Sequence, residues 1–338
     1  MIDGMARLLR IVAVGLGLVV IGAAPAGADA AGPSDFRSEV TSTTPDVDGV
    51  EAEIAGGDSF LVLTVDEGHT VVVEGYQGEP YLRFQPDGTV ERNRLSTATY
   101  LNDDRLGQVP IPPAAQEATA DTPPDWEEVA SGGTYAWHDH RTHWMSDASP
   151  SVARGERVEG AYDPWIVPLV VDGAPVEVRG TLTYASTVSP LPFVAVAVLA
   201  AALVVLWLRG GLRLPAVALT AVAALAVVVG RADYQSTPDD GGNALLWILA
   251  AVALVGAVGA VVLASRSAGV VLALLSVASL FGWALFRIQV FAKPVLPTDL
   301  PPALDRASVA LAIGVSAAVA YLAVTSGALT LPTLDDDD

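Results

Sequence analysis

The stretch Asn243–Ala264 reads NALLWILAAVALVGAVGAVVLA, 22 residues without one charged side chain. Crossing the hydrocarbon of a bilayer takes roughly 20 apolar residues, so this segment reads as a transmembrane helix. Pro190–Leu208, Pro215–Gly230, Gly269–Phe286 and Ala307–Leu329 have the same character, the second being short for a span. A backbone in lipid must satisfy its own hydrogen bonds, which makes helices the expected form for all five. These segments put a bundle of about five transmembrane helices in residues 188–331. The rest of the chain is organised around that assignment.

Residues 1–30 have the parts of a secretory signal peptide. Arg7 and Arg10 make a basic start, Ile11 to Ala24 an apolar core, and Ala28-Asp29-Ala30 a small-x-small cleavage site before Ala31. Cleaved or kept as an anchor, this segment places residues 31–187 outside the cytoplasm. The loops agree. Arg209-Gly-Gly-Leu-Arg213 and Ser265-Arg266-Ser267 are basic, whereas 231–242 holds Asp233, Asp239 and Asp240 against Arg231. Lysine and arginine concentrate on the cytoplasmic side of membrane proteins, so the chain is expected in the cell membrane with the acidic tail 332–338 in the cytoplasm.

The segment 31–187 reads as a β-rich domain. Ser59–Val65 and Thr70–Val73 are rich in strand formers. Tyr81–Gln85 and Thr89–Arg92 flank a Pro86-Asp87-Gly88 turn, and Trp165–Val171 and Ala174–Tyr184 flank Asp172-Gly173, giving two hairpins. Val176, Val178, Gly180, Leu182 and Tyr184 alternate on one strand face. The fold class expected is an α+β membrane protein: an extracytoplasmic antiparallel β-sandwich or small barrel followed by the five-helix bundle. Pro110–Pro124, with five prolines, reads as a loop inserted in that domain.

Net charge is −20, and residues 33–187 carry 27 Asp and Glu against 9 Arg, a net charge of −18. Such a surface argues against nucleic acid and anionic lipid surfaces as partners. There are no cysteines, so disulfides, thiolate metal sites and cysteine nucleophiles are excluded. The spans are almost free of ionisable groups, which disfavours a transporter. Arg287, near the end of the fourth span, reads as an arginine snorkelling to the interface. Gly256 and Gly259 suit close helix packing. The loop after Arg287 holds four prolines between Lys293 and Pro302 and is expected to be stiff and extended.

One segment carries recognisable chemistry. Trp137-His138-Asp139-His140-Arg141-Thr142-His143-Trp144-Met145 contains three of the four histidines. On a strand His138 and His140 share a face, and a turn brings His143 and Met145 to the same side. Imidazoles with a thioether favour copper, so His138, His140, His143 and Met145 form a candidate copper site; His69 is a further candidate ligand from a distant loop, and Asp139 is either a further ligand or a carboxylate that orients one of the histidines. The alternative is a polar loop anchored by Trp137 and Trp144 whose histidines bond to nearby acids. No serine-nucleophile elbow, phosphate loop or dinucleotide turn occurs, and a non-enzymatic role is expected.

Gly49–Glu53, Gly75–Phe84, Ala98–Asn102, Trp137–Met145 and Val167–Gly173 resemble an uncharacterised actinobacterial family with this layout of signal peptide, outer β domain and C-terminal spans. That resemblance implies location and architecture, and carries over no catalytic residue. A looser similarity of layout links the chain to bacterial copper-resistance proteins. Two functions follow as expectations: an outer domain that binds metal, copper first, or a structural or assembly factor. The latter would dock a protein partner through the outer domain or the outer loop 292–306.

Overall fold

The structure, a computed structural model, describes residues 31–160, 162–206, 213–238, 243–262 and 266–325. The expected signal peptide, residues 209–212, Asp239 and Asp240, Ser265 and the acidic tail lie outside the described residues.

Ten strands form the β domain: β1 (Phe36–Thr44), β2 (Val50–Ala55), β3 (Phe60–Val65), β4 (Val71–Glu74), β5 (Pro80–Phe84), β6 (Val90–Asn93), β7 (Trp126–Ala130), β8 (Thr134–Trp137), β9 (Trp165–Val171) and β10 (Ala174–Tyr184). Seven make one sheet in the order β1-β10-β9-β4-β5-β6-β7, and β2-β3-β8 make a second. Every pairing between these strands is antiparallel. Two short helices, α1 (Thr97–Leu101) and α2 (Pro113–Glu117), interrupt the sequence of strands between β6 and β7. The second falls in the proline-rich segment expected to be a loop.

Alternation decides which faces meet. Trp165, Val167, Leu169 and Val171 of β9 and Val176, Val178, Leu182 and Tyr184 of β10 are buried, and they share one core with Leu61, Leu63 and Val65 of the smaller sheet. Burying each large apolar side chain stabilises by about 1.5–3 kcal/mol, which is how a domain without disulfides holds its shape. The β9–β10 turn works because Asp172 and Gly173 both adopt positive φ, 50° and 83°, the conformation a two-residue hairpin requires. Gly180 is needed where β10 passes under the ring of Trp165, which leaves no room for a Cβ.

The remaining helices are α3 (Leu191–Leu206), α4 (Arg213–Gln235), α5 (Leu245–Val262), α6 (Arg266–Phe286) and α7 (Pro302–Thr325). Four of them, α4 to α7, are long and apolar enough to cross a membrane, and α3 is apolar but shorter. Their outer faces expose Val194, Val198, Val255, Val262 and Leu285, as lipid-facing helices do. The most buried is α7, which packs on α3, α4 and α6. Small residues set the closest approaches: Gly230 faces the Leu246 carbonyl, Gly314 that of Ala197, and Gly256 and Gly259 lie against Leu272.

Two readings from sequence are corrected here. The second span is not short, for α4 runs on through Arg231 and Asp233 to Gln235, residues assigned to a loop. Arg287 does not snorkel. It is 6% exposed, and its Nη2 meets both Asp233 and Asp305, the latter at 2.6 Å. The two errors have one cause, since the extra helical turn of α4 is what carries Asp233 to Arg287.

The same end of the bundle holds the β domain. Arg306 donates to the backbone carbonyls of Val290, Lys293 and Pro294, at 2.8, 2.9 and 3.0 Å, and so shapes the proline-rich loop. Val295 then exchanges two backbone hydrogen bonds with Ser34 (2.9 and 3.1 Å), and Lys293 Nζ reaches Asp35 at 2.5 Å. Arg154 bonds the other Asp35 oxygen at 3.1 Å. Burial alone would raise the Asp35 carboxyl, but the bonds from Lys293 and Arg154 hold it below the usual range.

Breaking a buried ion pair by removing one partner costs about 3–5 kcal/mol. Arg287→Gln is therefore expected to lower the thermal unfolding midpoint of the detergent-solubilised protein sharply. Arg231→Gln, which among the described residues loses stacking on Tyr234 and Trp247, serves as the control and should leave it nearly unchanged.

Candidate functional site

Strand β8 ends at the buried Trp137, and the chain then turns through the histidine-rich segment. Asp139 organises that turn. It is fully buried, and its carboxylate accepts from Trp137 Nε1 (2.8 Å), Arg141 Nε (2.7 Å), Arg141 Nη2 (2.7 Å) and the Arg141 backbone N–H (3.1 Å). Burial opposes its ionisation, yet the paired guanidinium wins and keeps the carboxyl below the ordinary range. Arg141 is fixed in turn by the Glu74 carbonyl (3.1 Å) and by the ring of Tyr76 beneath it.

The histidines are placed one by one. His138 is buried, stacks on Phe60 with ring centroids 4.2 Å apart, and sets Nδ1 2.7 Å from the Ser59 carbonyl. His140 is half-buried over Tyr76, with Nε2 3.2 Å from the Asp104 carbonyl, and its backbone N–H donates to the Tyr76 hydroxyl at 3.0 Å. His143 is buried, with Nε2 2.7 Å from the Arg105 carbonyl. The partners are backbone carbonyls, not the acids expected of a polar loop. A carbonyl only accepts, so His138 carries its proton on Nδ1 and His143 on Nε2.

Nδ1 of His143 therefore holds the lone pair, and it is buried without a hydrogen-bond partner. The group is pushed down to about 3, mostly by burial and then by the nearby Arg105 charge, so the ring is neutral at physiological pH. His140 lies edge-on to it with centroids 5.3 Å apart. Met145 follows two residues on and is half-buried. His69 is engaged elsewhere, its Nδ1 2.8 Å from Asp172 at the β9–β10 turn. The structure thus brings His140 and His143 together and commits Asp139 to Trp137 and Arg141. Among the described residues, no three His, Asp or Glu side chains are grouped so as to hold a metal ion.

Sequence reasoning missed Asp58, Arg105 and Asn102. Asp58 is fully buried in a Gly-Gly-Asp-Ser turn and bonded by Arg105 at 2.6 Å. Burial pushes its carboxyl up, against the opposing charge of Arg105. Asn102, at the C-terminal end of α1, accepts from the Tyr76 hydroxyl. Only the glycines before Asp58 hinted at a special backbone. A cavity of about 70 Å³ lies against Asn102, His138 and Trp137, room for water or a very small solute. No protein-family model matches the chain, and neither a curated protein nor a solved structure matches it.

The neutral burial of His143 has a signed consequence. Its folded value is depressed from 6.5 to about 3, so the unfolded state binds the extra proton between those limits. Stability is unaffected above about pH 6.5 and declines as pH falls toward 3, by up to about 1.4 kcal/mol per pH unit. His143→Gln should flatten this part of the profile, measured as unfolding midpoint against pH from 7 to 4.

Proposed function

We propose that the chain is a five-span membrane protein that acts by binding and performs no catalysis. In this reading the β domain is a sandwich outside the cell, delivered by the N-terminal signal peptide, and the C-terminus is cytoplasmic. It is a structural or assembly factor that offers its acidic outer surface to a protein partner at a fixed height above the membrane. The observation that carries this reading is the joint between domain and bundle. A free-swinding tether needs neither the reciprocal Ser34–Val295 hydrogen bonds nor the Lys293–Asp35 pair. The joint also occupies much of loop 292–306, where Val295 and Leu296 are buried, so partner contact is assigned to the domain surface.

A second reading keeps copper in view. The neutral, carbonyl-oriented imidazole of His143, with a buried lone pair beside His140, has the kind of support that metal-binding histidines use. His138 and Met145 would have to move in to complete the set. The likeness to copper-resistance proteins and to the actinobacterial family belongs to the same proposal.

Three measurements separate these readings. Spin labels on the β domain and on α5 should give a narrow distance distribution that Asp35→Lys broadens, and a partner crosslinked in native membranes should be lost with the same variant and survive chelation. A broad distribution in the unsubstituted protein overturns the platform reading. Calorimetric titration of the full chain with Cu(I), Cu(II) and Zn(II) tests the other. Binding weaker than micromolar, or unchanged in a His138/His140/His143 triple alanine variant, overturns it.

A further inference from the structure

A cavity of about 370 Å³ opens at the joint itself, between the start of the β domain and the loop leading into α7. Its walls include Asp35, Phe36, Arg105, Trp144, Ser146 and Lys293. The charge here runs opposite to the rest of the domain. Among the described residues, Arg105 and Arg154 of the domain and Lys293 of the loop pair here with Asp35 and Asp58, three cations to two carboxylates, beside a domain of net charge −18. A local positive excess inside an acidic surface focuses on small anions and excludes large polyanions.

The donors are held in place. Arg105 is three-quarters buried, fixed through Nη2 to Asp58 Oδ2 (2.6 Å) and through Nη1 to Ser59 Oγ (3.3 Å) and the Asp58 carbonyl (3.4 Å). Lys293 gives one of its three N–H groups to Asp35, which leaves two for another acceptor. Phe36 and Trp144 stack with centroids 5.8 Å apart and form an apolar wall beside these charges. The volume exceeds what a bare ion needs and lies at the small end of ligand sites. Lys293 follows the end of α6 by a single short turn, so the cavity lies just beyond the end of an apolar helix long enough to cross a membrane, the level at which a bilayer would place its headgroups.

We propose that this joint cavity binds a phosphate ester, with Lys293 and Arg105 holding the oxyanion and the Phe36–Trp144 face covering the attached carbon skeleton. The ester is either a phospholipid headgroup or a soluble phosphomonoester. The inference depends on neither the partner reading nor the copper reading.

The test uses the full chain in detergent, titrated calorimetrically with glycerol 3-phosphate and inorganic phosphate. Native mass spectrometry after reconstitution with phosphatidylglycerol then scores retained lipid. Ser146 is exposed on the rim, so Ser146→Glu adds a negative charge without touching the core. It is expected to abolish binding with an unchanged unfolding midpoint, while Lys293→Gln weakens binding at least tenfold. Lipid retained by the unsubstituted protein and lost with Ser146→Glu assigns the headgroup as ligand. Glycerol 3-phosphate binding without retained lipid assigns the soluble ester. Absence of both from folded protein, or binding that neither variant changes, overturns the proposal.

Discussion

The arrangement of this protein depends on where it puts one buried guanidinium. Arg287 lies at the end of α6 inside an apolar bundle, where an unpaired charge would cost many kcal/mol. Asp233 from α4 and Asp305 from α7 meet it there. Arg306, next in sequence to Asp305, supplies the second cation, so two arginines balance two aspartates. Meeting this condition fixes the ends of three helices relative to one another. It does so at one end of the bundle, while much of the remaining packing between helices is made by Ala, Val, Leu and Gly, with Ser276 and Trp283 of α6 donating to the Ala253 and Leu246 carbonyls of α5.

From that cluster the constraint passes outward along the chain. Among the described residues, Arg306 is not paired with a carboxylate by any short contact but spends its donors on three loop carbonyls. Those bonds, with Ser236 donating to the Pro297 carbonyl at 2.7 Å, hold a proline-rich loop that has few backbone donors of its own. A loop fixed in this way can present an edge, and Val295 presents one to Ser34. The β domain is therefore seated by backbone hydrogen bonds and one ion pair, supported from beneath by charges within the bundle.

How far this was legible in the sequence depends on the range of the interaction. The β9–β10 hairpin could be read to the residue, because Asp172-Gly173 and the period-two pattern around it are local signals. Four of the five apolar segments could be read as helices long enough to cross a membrane because hydrophobicity accumulates along a segment. The end of α4 was misread because Arg231 and Asp233 look like loop residues until Tyr234, Trp247 and Arg287 are known to receive them. The histidine segment stood out by composition. Its ring partners are carbonyls of Ser59, Asp104 and Arg105, which every residue possesses, so no residue type could announce them.

Lys293 shows how the two halves constrain each other's chemistry. It is the single lysine in a chain with 17 arginines, which calls for a reason at this position. A guanidinium is planar and prefers two parallel bonds to one carboxylate. Asp35 has only one oxygen to offer here, since Arg154 takes the other. An ammonium on a flexible stem satisfies that single oxygen and keeps two donors free to turn toward the cavity. Its backbone carbonyl is meanwhile held by Arg306, so the stem starts from a fixed point while the charge at its end can adjust. One residue thus belongs to the bundle through its main chain, to the β domain through Asp35, and to the cavity through the donors that remain.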